Sequence, residues 1–206
     1  MQLVVEPAEA RHAQALSGLF ERTGTACHCQ YWHFEGDKNA WLDRLFHAPE
    51  LNRAAFDRDL QQPDPKGIVA LGSDGQALGW MKLTRAERVA KLYAQRLYKG
   101  LAIFDGPRDG VLTVGCLLVD DSVRRRGVAR ALVQRGIEYA QASGARAIEA
   151  FPRRGEQLGA PELWTGPAAL FLDSGFQIIN DFAPYPVLRY EVSGAAASEA
   201  TAAQST

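Results

Sequence analysis

A strand, an arginine-rich turn and a helix follow one another within residues 111–151 of this 206-residue chain. Residues 112–119 (LTVGCLLV) are an apolar, β-prone run of strand length. Residues 131–143 have helical periodicity, and one stripe contains Val133, Ile137, Ala140 and Gly144. The turn between the two elements reads Arg124-Arg125-Arg126-Gly127-Val128-Ala129. The sequence therefore predicts that three arginines and a glycine fill a strand-to-helix turn.

That turn has the chemistry of an anion-binding site. The first N–H groups of a helix have no intrahelical partner, and the helix dipole makes this end partially positive. Gly127 lacks a Cβ, so a phosphate can approach the backbone closely, and Ala129 keeps the turn narrow. The arginines add charge that does not titrate. We interpret residues 124–129 as a pyrophosphate-binding loop, with a solvated arginine cluster as the alternative.

The loop and the elements around it resemble those of a known family. Neither the Gly-Lys-Ser/Thr of a Walker loop nor a Gly-x-Gly-x-x-Gly fingerprint is present. Instead, a strand at residues 146–151 and a helical segment ending in Gly175-Phe176 follow the loop and its helix. This order, over residues 111–192, resembles the GNAT N-acetyltransferase superfamily. The resemblance implies an α/β fold with a mixed, mostly antiparallel sheet of about six to seven strands, flanked by helices.

The resemblance also implies acetyl-CoA as co-substrate and a set of cofactor-binding residues. The pyrophosphate would lie on the loop, and the pantetheine arm would pair with the central strand, one of whose N–H groups polarises the thioester carbonyl. Many members have a tyrosine in the last helix that protonates the leaving thiolate, but this chain has phenylalanine there. Solvent or another group must then supply that proton. The implied cofactor-binding residues are Leu117, Leu118, Val119, Arg124, Arg125, Arg126, Gly127, Val128, Ala129, Arg130 and Phe171.

Several residues are candidates for the base that accepts the proton of the amine. We favour Glu149, because it interrupts an apolar strand and a carboxylate there needs a partner or water. A paired structural carboxylate is the alternative for this residue. Tyr31 is the second catalytic candidate. The remaining candidates are His28 and His33 in the same loop as Tyr31, and Asp120 and Asp121, which are more simply turn residues.

The loop over residues 23–36 (TGTACHCQYWHFEG) is unusually rich in cysteine, histidine and aromatic residues. Cys27, Cys29 and His33 have the ligand types that zinc prefers, but the cysteines are closer together than in common zinc sites. We therefore expect no metal. An aromatic wall of an acceptor pocket and a loop anchored in the core by Tyr31 and Trp32 are the two other interpretations.

The remaining periodicities predict the other elements of one domain spanning residues 1–193. A helical insertion at about 37–62 covers the acceptor side, and residues 194–206 form a disordered tail. A hairpin joins strands at 67–71 and 77–83. The other predicted elements are a strand at 2–5, helices at 8–22, 38–47, 50–61 and 85–99, and a final strand at 187–192.

Composition restricts the classes of partner. The net charge of −1 argues against general affinity for nucleic acid, whereas the local basic cluster suits a small anionic ligand. No apolar run approaches the length of a membrane span and no signal segment is present, so we expect a soluble, cytoplasmic protein without a membrane partner. The odd number of cysteines, Cys27, Cys29 and Cys116, fits free thiols.

Together these observations predict an N-acetyltransferase that moves an acetyl group from acetyl-CoA to a primary amine by direct attack. The acceptor would be a small-molecule or peptide amine, and a homodimer is one option for the assembly. The alternative is a non-catalytic or regulatory acyl-CoA-binding protein on the same fold, for which Phe171 is the best support. A third hypothesis makes Cys27, Cys29 and His33 a metal site that regulates or builds the fold.

Overall fold

Seven strands form one sheet in the order β1-β2-β3-β4-β5-β7-β6. The structure is a computed structural model that describes residues 2–155, 158–159 and 162–192. Neighbouring strands are antiparallel, except that β4 and β5 are parallel. This confirms the predicted mixed, mostly antiparallel sheet. The strands are β1 (Val4–Pro7), β2 (Gly67–Leu71), β3 (Ala77–Arg85), β4 (Val111–Val119), β5 (Ala147–Ala150), β6 (Gln177–Asn180) and β7 (Val187–Glu191).

Helices flank the sheet, as expected. The α-helices are α1 (Ala13–Arg22), α2 (Lys38–His47), α3 (Glu50–Leu60), α4 (Ala90–Tyr93), α5 (Val128–Ala142) and α6 (Ala168–Leu172). Helix α5 packs on one face against β2 and β3, and α1 packs against β3. None of the helices in the described part of the chain combines the length and the apolarity that a membrane span requires.

Helix α5 packs against the sheet through glycines that leave room for the side chains opposite them. A Cβ on Gly136 would lie 2.6 Å from Met81 Cε, and one on Gly79 would lie 2.7 Å from Val128 Cγ1. Real side chains do not tolerate such distances, so glycine on both elements permits the close approach. The start of α5 is thereby fixed against β3, next to the end of β4.

The predicted helix over residues 85–99 is wrong. The chain instead forms a short 3-10 helix (Ala86–Val89), the single-turn helix α4 and a series of turns. Val89, Leu92 and Tyr98 are all buried in one cluster with Phe151. Burial of these side chains on the sheet stabilises the irregular path more than helix propensity would stabilise a regular helix.

Strand β4 extends beyond its parallel neighbour. Pairing with β5 covers Val111–Val114, opposite Ala147–Ala150, whereas β4 continues to Val119. On its other side β4 remains paired with β3 as far as Val119. The outer edge of residues 115–119 therefore has no strand beside it, and this edge leads directly to the arginine-rich turn.

Two predictions concern the limits of the domain. The predicted disordered tail at 194–206 lies outside the described residues. The division into one domain over residues 1–193 stays a prediction, although strands from both ends of the described chain belong to one sheet.

Candidate active site

A cleft of ≈ 800 Å³ opens where β4 extends past β5. One wall is the free edge of β4 at Leu117, Leu118 and Val119, and the floor is the turn and the first residues of α5. Trp164 and Leu170 close the opposite side. The cleft thus joins the two features that the sequence singled out, the central strand and the arginine-rich turn.

The backbone of the turn opens the start of α5 towards the cleft. Gly127 is the N-cap residue in a left-handed conformation, with φ +85°, and Arg125 also has a positive φ of 62°. A Cβ added to Gly127 would find no atom within 4 Å, so this side of the turn faces open space. Because Gly127 is the N-cap, the N–H groups of Val128, Ala129 and Arg130 are left without intrahelical partners. Free N–H groups at a helix start are the feature from which the sequence predicts an anion site, and that site stays a prediction.

Three of the four arginines in this region line the cleft. They are Arg124, Arg125 and Arg130, whereas the side chain of Arg126 is exposed and does not line it. Arg124 pairs with Asp121 at 2.6 Å and Arg130 pairs with Asp173 at 3.2 Å. Exposed ion pairs of this kind are weak, so a bound phosphate can replace them at little cost.

The free edge of β4 offers fewer backbone donors than the resemblance implied. The N–H of Asp120 donates to the carbonyl of Leu78 at 3.0 Å, and alternation along an antiparallel pair directs the N–H of Leu118 to β3 as well. The N–H of Leu118 therefore faces β3, whereas the residue itself lines the cleft, and its role in cofactor binding stays a prediction. The N–H groups of Leu117 and Val119 point the other way, towards the cleft.

The N–H of Leu117 is already engaged. It donates to the carbonyl oxygen of Trp164 at 2.7 Å. The indole of Trp164 stacks on Trp32 at 5.9 Å between ring centroids, and Trp32 Nε1 donates to the carbonyl of Gly115 at 3.2 Å. The cysteine-rich loop is thus anchored at the site by Trp32, as one sequence interpretation held. The role of Trp164 was missed, because a tryptophan in a loop has no periodicity to reveal its partner.

A second pocket of ≈ 280 Å³ lies beyond this pair of tryptophans. Its lining includes Trp32, Trp164, Tyr98, Phe151 and Tyr185, so it is walled largely by aromatic rings. Gly115, at the irregularity in β4, also borders this pocket. The two pockets share Trp164 and lie on its two sides.

Glu149, the favoured base, lies outside both pockets. Its side chain is completely buried, and Arg108 and Arg189 form ion pairs with its two oxygens, the second at 2.6 Å. The hydroxyl of Tyr93 donates to it at 2.7 Å and also contacts Thr113 Oγ1 at 2.7 Å. These contacts correct the catalytic interpretation. They favour the alternative weighed from the sequence, a paired structural carboxylate.

Tyr31, the other catalytic candidate, also lies away from the cleft. Its ring contacts Trp32 and Trp41 at centroid distances of 4.7 and 5.4 Å, and Lys91 Nζ lies 4.5 Å from its centroid. Tyr31 lines neither pocket in the described part of the chain. This placement corrects the catalytic assignment, because the ring supports Trp32 from behind instead of facing the reacting groups.

The three cysteines are free thiols. Cys29 and Cys116 are buried, and burial raises the pKa of Cys29. A hydrogen bond to Cys29, followed by burial, raises the pKa of Cys27. Among the described residues, no group of three or more cysteine, histidine or acidic side chains is arranged to hold a metal ion.

Phe171 is completely buried and does not line the cleft. Its ring contacts Phe176 at 5.3 Å, and a Cβ on Gly166 would lie 3.2 Å from its Cζ atom. The prediction that Phe171 contacts the cofactor is therefore wrong for this conformation. The residue supports Gly166 and Leu117 from the core side of the sheet.

We expect Phe171→Tyr to lower stability and to leave the acetyl-transfer rate unchanged. The new hydroxyl would be buried beside Gly166 without a partner, which costs about 1–3 kcal/mol. Chemical denaturation measures the first effect, and thiol release per folded molecule measures the second. A variant that keeps wild-type stability and gains rate would show that the hydroxyl reaches the leaving thiolate.

Comparison with known proteins agrees with this architecture. The sequence profile described as the Acetyltransferase (GNAT) family matches residues 30–164, which is more than half of the chain. A search of curated protein sequences finds no match.

Solved structures share the fold at low sequence identity. The paia N-acetyltransferase from Thermoplasma acidophilum, in complex with coenzyme A, is 10% identical, with 93% of this chain and 99% of that chain covered and a TM-score of 0.52. A GCN5-related N-acetyltransferase from Kribbella flavida is 21% identical, with coverage of 92% and 97% and a TM-score of 0.54. The yncA protein from Salmonella typhimurium, with its cofactor acetyl-CoA, is 13% identical, with coverage of 97% and 99% and a TM-score of 0.55. These structures show the shared fold, and the profile match over more than half of the chain establishes that it belongs to the GNAT acetyltransferase family.

Proposed function

We propose that this protein transfers an acetyl group from acetyl-CoA to a primary amine. The observation on which the proposal depends is the extension of β4 past β5, which leaves a free strand edge that ends at the start of α5. The pyrophosphate of CoA would accept hydrogen bonds from the N–H groups of Val128, Ala129 and Arg130. The pantetheine arm would follow β4 towards Trp164, as CoA binding in the family implies.

The chemistry requires one donor for the oxyanion and two proton transfers. The lone pair of the amine attacks the thioester carbonyl, and the carbonyl oxygen becomes negative in the tetrahedral intermediate. The N–H of Val119 points to the cleft and is the backbone donor that we assign to the cofactor. Collapse of the intermediate breaks the carbon–sulfur bond, and the nitrogen, which is positively charged after attack, gives a proton to water as the amide forms. The thiolate takes its proton from water, because the buried ring of Phe171 has none to give.

The aromatic pocket beyond Trp164 is the proposed acceptor site. Ring faces attract a cationic amine, and this pocket has Trp32, Tyr98 and Tyr185 besides Trp164. Before attack, the ammonium group must lose a proton. Neither Glu149 nor Tyr31 lines the pocket, and Glu162 at its rim is already paired with Arg153 at 2.6 Å. We therefore assign this proton to solvent water, which implies a rate that rises with pH until the free amine predominates.

A second candidate function is acyl-CoA binding without turnover, in a non-catalytic or regulatory protein. Two observations favour it. Phe171 replaces the residue that many family members use as an acid, and the carbonyl of Trp164 occupies the N–H of Leu117. With Leu117 engaged, Val119 is the one cleft-facing N–H of β4 that we assign to the cofactor.

Two measurements, made one after the other, distinguish these two functions. Acetyl-CoA should raise the melting temperature, and the absence of a shift at saturating concentration would reject both functions. Thiol release is then followed with a panel of amino sugars, polyamines, amino acids and peptides. Release above the amine-free background supports the transferase. A thermal shift without release from any amine supports the binding protein.

A further inference from the structure

A third cavity, of ≈ 370 Å³, lies on the face of the sheet opposite α5. It is bounded by β3, the last turn of α3 and the 3-10 helix Tyr31–His33. In the described part of the chain it shares no lining residue with the CoA cleft or with the aromatic pocket. Its lining is strongly polar, and neither the proposed transfer reaction nor the CoA loop uses it.

Lys82 projects into this cavity from the middle of β3. Only 2% of the residue is exposed, and its stem lies against the backbone of β4, since a Cβ on Gly115 would lie 3.5 Å from Lys82 Cδ. None of the ion pairs among the described residues involves its ammonium group, and the carboxylate whose charge acts on it through space is Asp59, which also lines the cavity. Burial lowers the pKa of Lys82. An ammonium group in such a place is costly unless an anion accompanies it.

The residues that line the cavity carry more positive charge than negative charge. The lining contains four basic residues, Arg58, Lys66, Lys82 and Arg88, and two acidic ones, Asp59 and Asp64, which gives 4 − 2 = +2. The two carboxylates already have partners. Asp64 pairs with Arg88 at 2.5 Å and with Arg85 at 3.3 Å, and Asp59 accepts a hydrogen bond from Gln30 at 2.9 Å. The cavity is therefore set to receive negative charge from outside the chain.

Two neutral side chains, His33 and Thr84, also line the cavity. His33 Nε2 is buried and has no hydrogen-bond partner among the described residues. Burial, followed by the positive charge of Lys82, lowers the pKa of His33 to about 4, so its ring is neutral at pH 7. Thr84 is also buried, and it lines the same cavity. An oxyanion with several oxygens can accept from the hydroxyl, the imidazole and the ammonium together.

We propose that this cavity binds a small oxyanion, the phosphate or carboxylate group of a ligand, with Lys82 Nζ as its principal partner. Thr84 and His33 complete the inner contacts, and Lys66 and Arg58 supply charge at the mouth. The site is distinct from the pyrophosphate loop, so binding of a free oxyanion does not depend on the proposed transferase activity; binding of an oxyanion on the acceptor rests on that activity.

The test measures the stabilisation of the protein by inorganic phosphate and by acetate, at constant ionic strength made up with chloride. A ligand that binds only the folded state raises the melting temperature as its concentration exceeds the dissociation constant. We expect at least one of the two anions to stabilise the wild type. Lys82→Met, which keeps the length of the side chain but removes its charge, should weaken the apparent affinity at least about tenfold, equivalent to about 1.4 kcal/mol.

Three further variants make the result specific. Lys99→Met removes an exposed lysine outside the cavity and should keep the wild-type response. Gly127→Ala weakens any phosphate binding at the pyrophosphate loop and should keep the part of the response that Lys82→Met removes. Lys66→Met, at the mouth, should weaken binding less than Lys82→Met and provides the test if Lys82→Met does not fold. The proposal is overturned if neither anion stabilises the wild type beyond chloride, or if Gly127→Ala loses the response while Lys82→Met retains it.

A second comparison distinguishes a free anion from an oxyanion group on the acceptor. If it is a free anion, phosphate or acetate saturates the wild type in the absence of any amine. If it is a group on the acceptor, Lys82→Met raises KM for amines that contain a carboxylate or phosphate and leaves KM for neutral amines unchanged. Equal KM changes for both kinds of amine would count against Lys82 as the anion contact.

Discussion

Replacing Glu149 with leucine is expected to lower the free energy of unfolding by about 3 kcal/mol or more, because it removes the buried carboxylate that pairs with two partly buried arginines. Of the two, only Arg189 keeps another ion-pair partner among the described residues, Glu191 at 3.6 Å. Arg108 and Arg189 both pair with this carboxylate, and their side chains are only 18% and 20% exposed. Tyr93 also loses its acceptor, although its hydroxyl keeps Thr113 as a partner. Urea denaturation of the two proteins measures the difference.

The matched variant Glu149→Gln separates this structural role from catalysis. Glutamine keeps the shape and can still accept from Tyr93, but it removes the negative charge. We expect a clear loss of stability, with thiol release per folded molecule close to that of the wild type. The opposite result, wild-type stability with a large fall in kcat, would restore Glu149 as the base.

At the cluster around Glu149, periodicity predicts that the carboxylate is buried but does not predict its partners. Glu149 stands out in the sequence because it interrupts an apolar strand, and that signal correctly indicates a buried carboxylate. Its partners come from a loop, a single-turn helix and a distant strand, at Arg108, Tyr93 and Arg189. None of these lies near Glu149 in sequence, so only the fold shows that its oxygens are occupied.

The strand, turn and helix at residues 111–151, in contrast, could be predicted from the sequence. Their signals are local, since an apolar run, a glycine and a helical stripe each act within a few residues. Even there the observed start of α5 differs from the predicted one. Gly127 is the N-cap and the helix begins at Val128. Gly144, expected on the buried stripe, lies past the helix end with a positive φ of 68°.

The walls of the site were less predictable than its floor. Trp32 was recognised as an anchor of the cysteine-rich loop, but its stacking partner Trp164 was not. The engagement of Leu117 by the carbonyl of Trp164 was also not accessible, because backbone hydrogen bonds between irregular segments leave no pattern in side chains. These long-range contacts determine which N–H groups of β4 remain free.

Replacing Gly127 with alanine is expected to weaken CoA binding at least about tenfold, which corresponds to 1.4 kcal/mol. The residue has a φ of +85°, and its missing Cβ points into open space in the cleft where the pyrophosphate is proposed to bind. A methyl group there holds the phosphate away from the first N–H groups of α5. The left-handed conformation adds a cost of about 1–2 kcal/mol to folding.

The same helix provides a matched control at its other end. Gly144 also has a positive φ, of +68°, and a Cβ there would also find no atom within 4 Å, but this residue does not line the cleft. Gly144→Ala should therefore lower stability by a similar amount and leave the affinity for CoA unchanged. Isothermal titration with CoA, together with urea denaturation, compares the two variants. If both lose affinity equally, backbone strain explains the loss; if neither does, the start of α5 does not hold the pyrophosphate and the proposed function loses its main support.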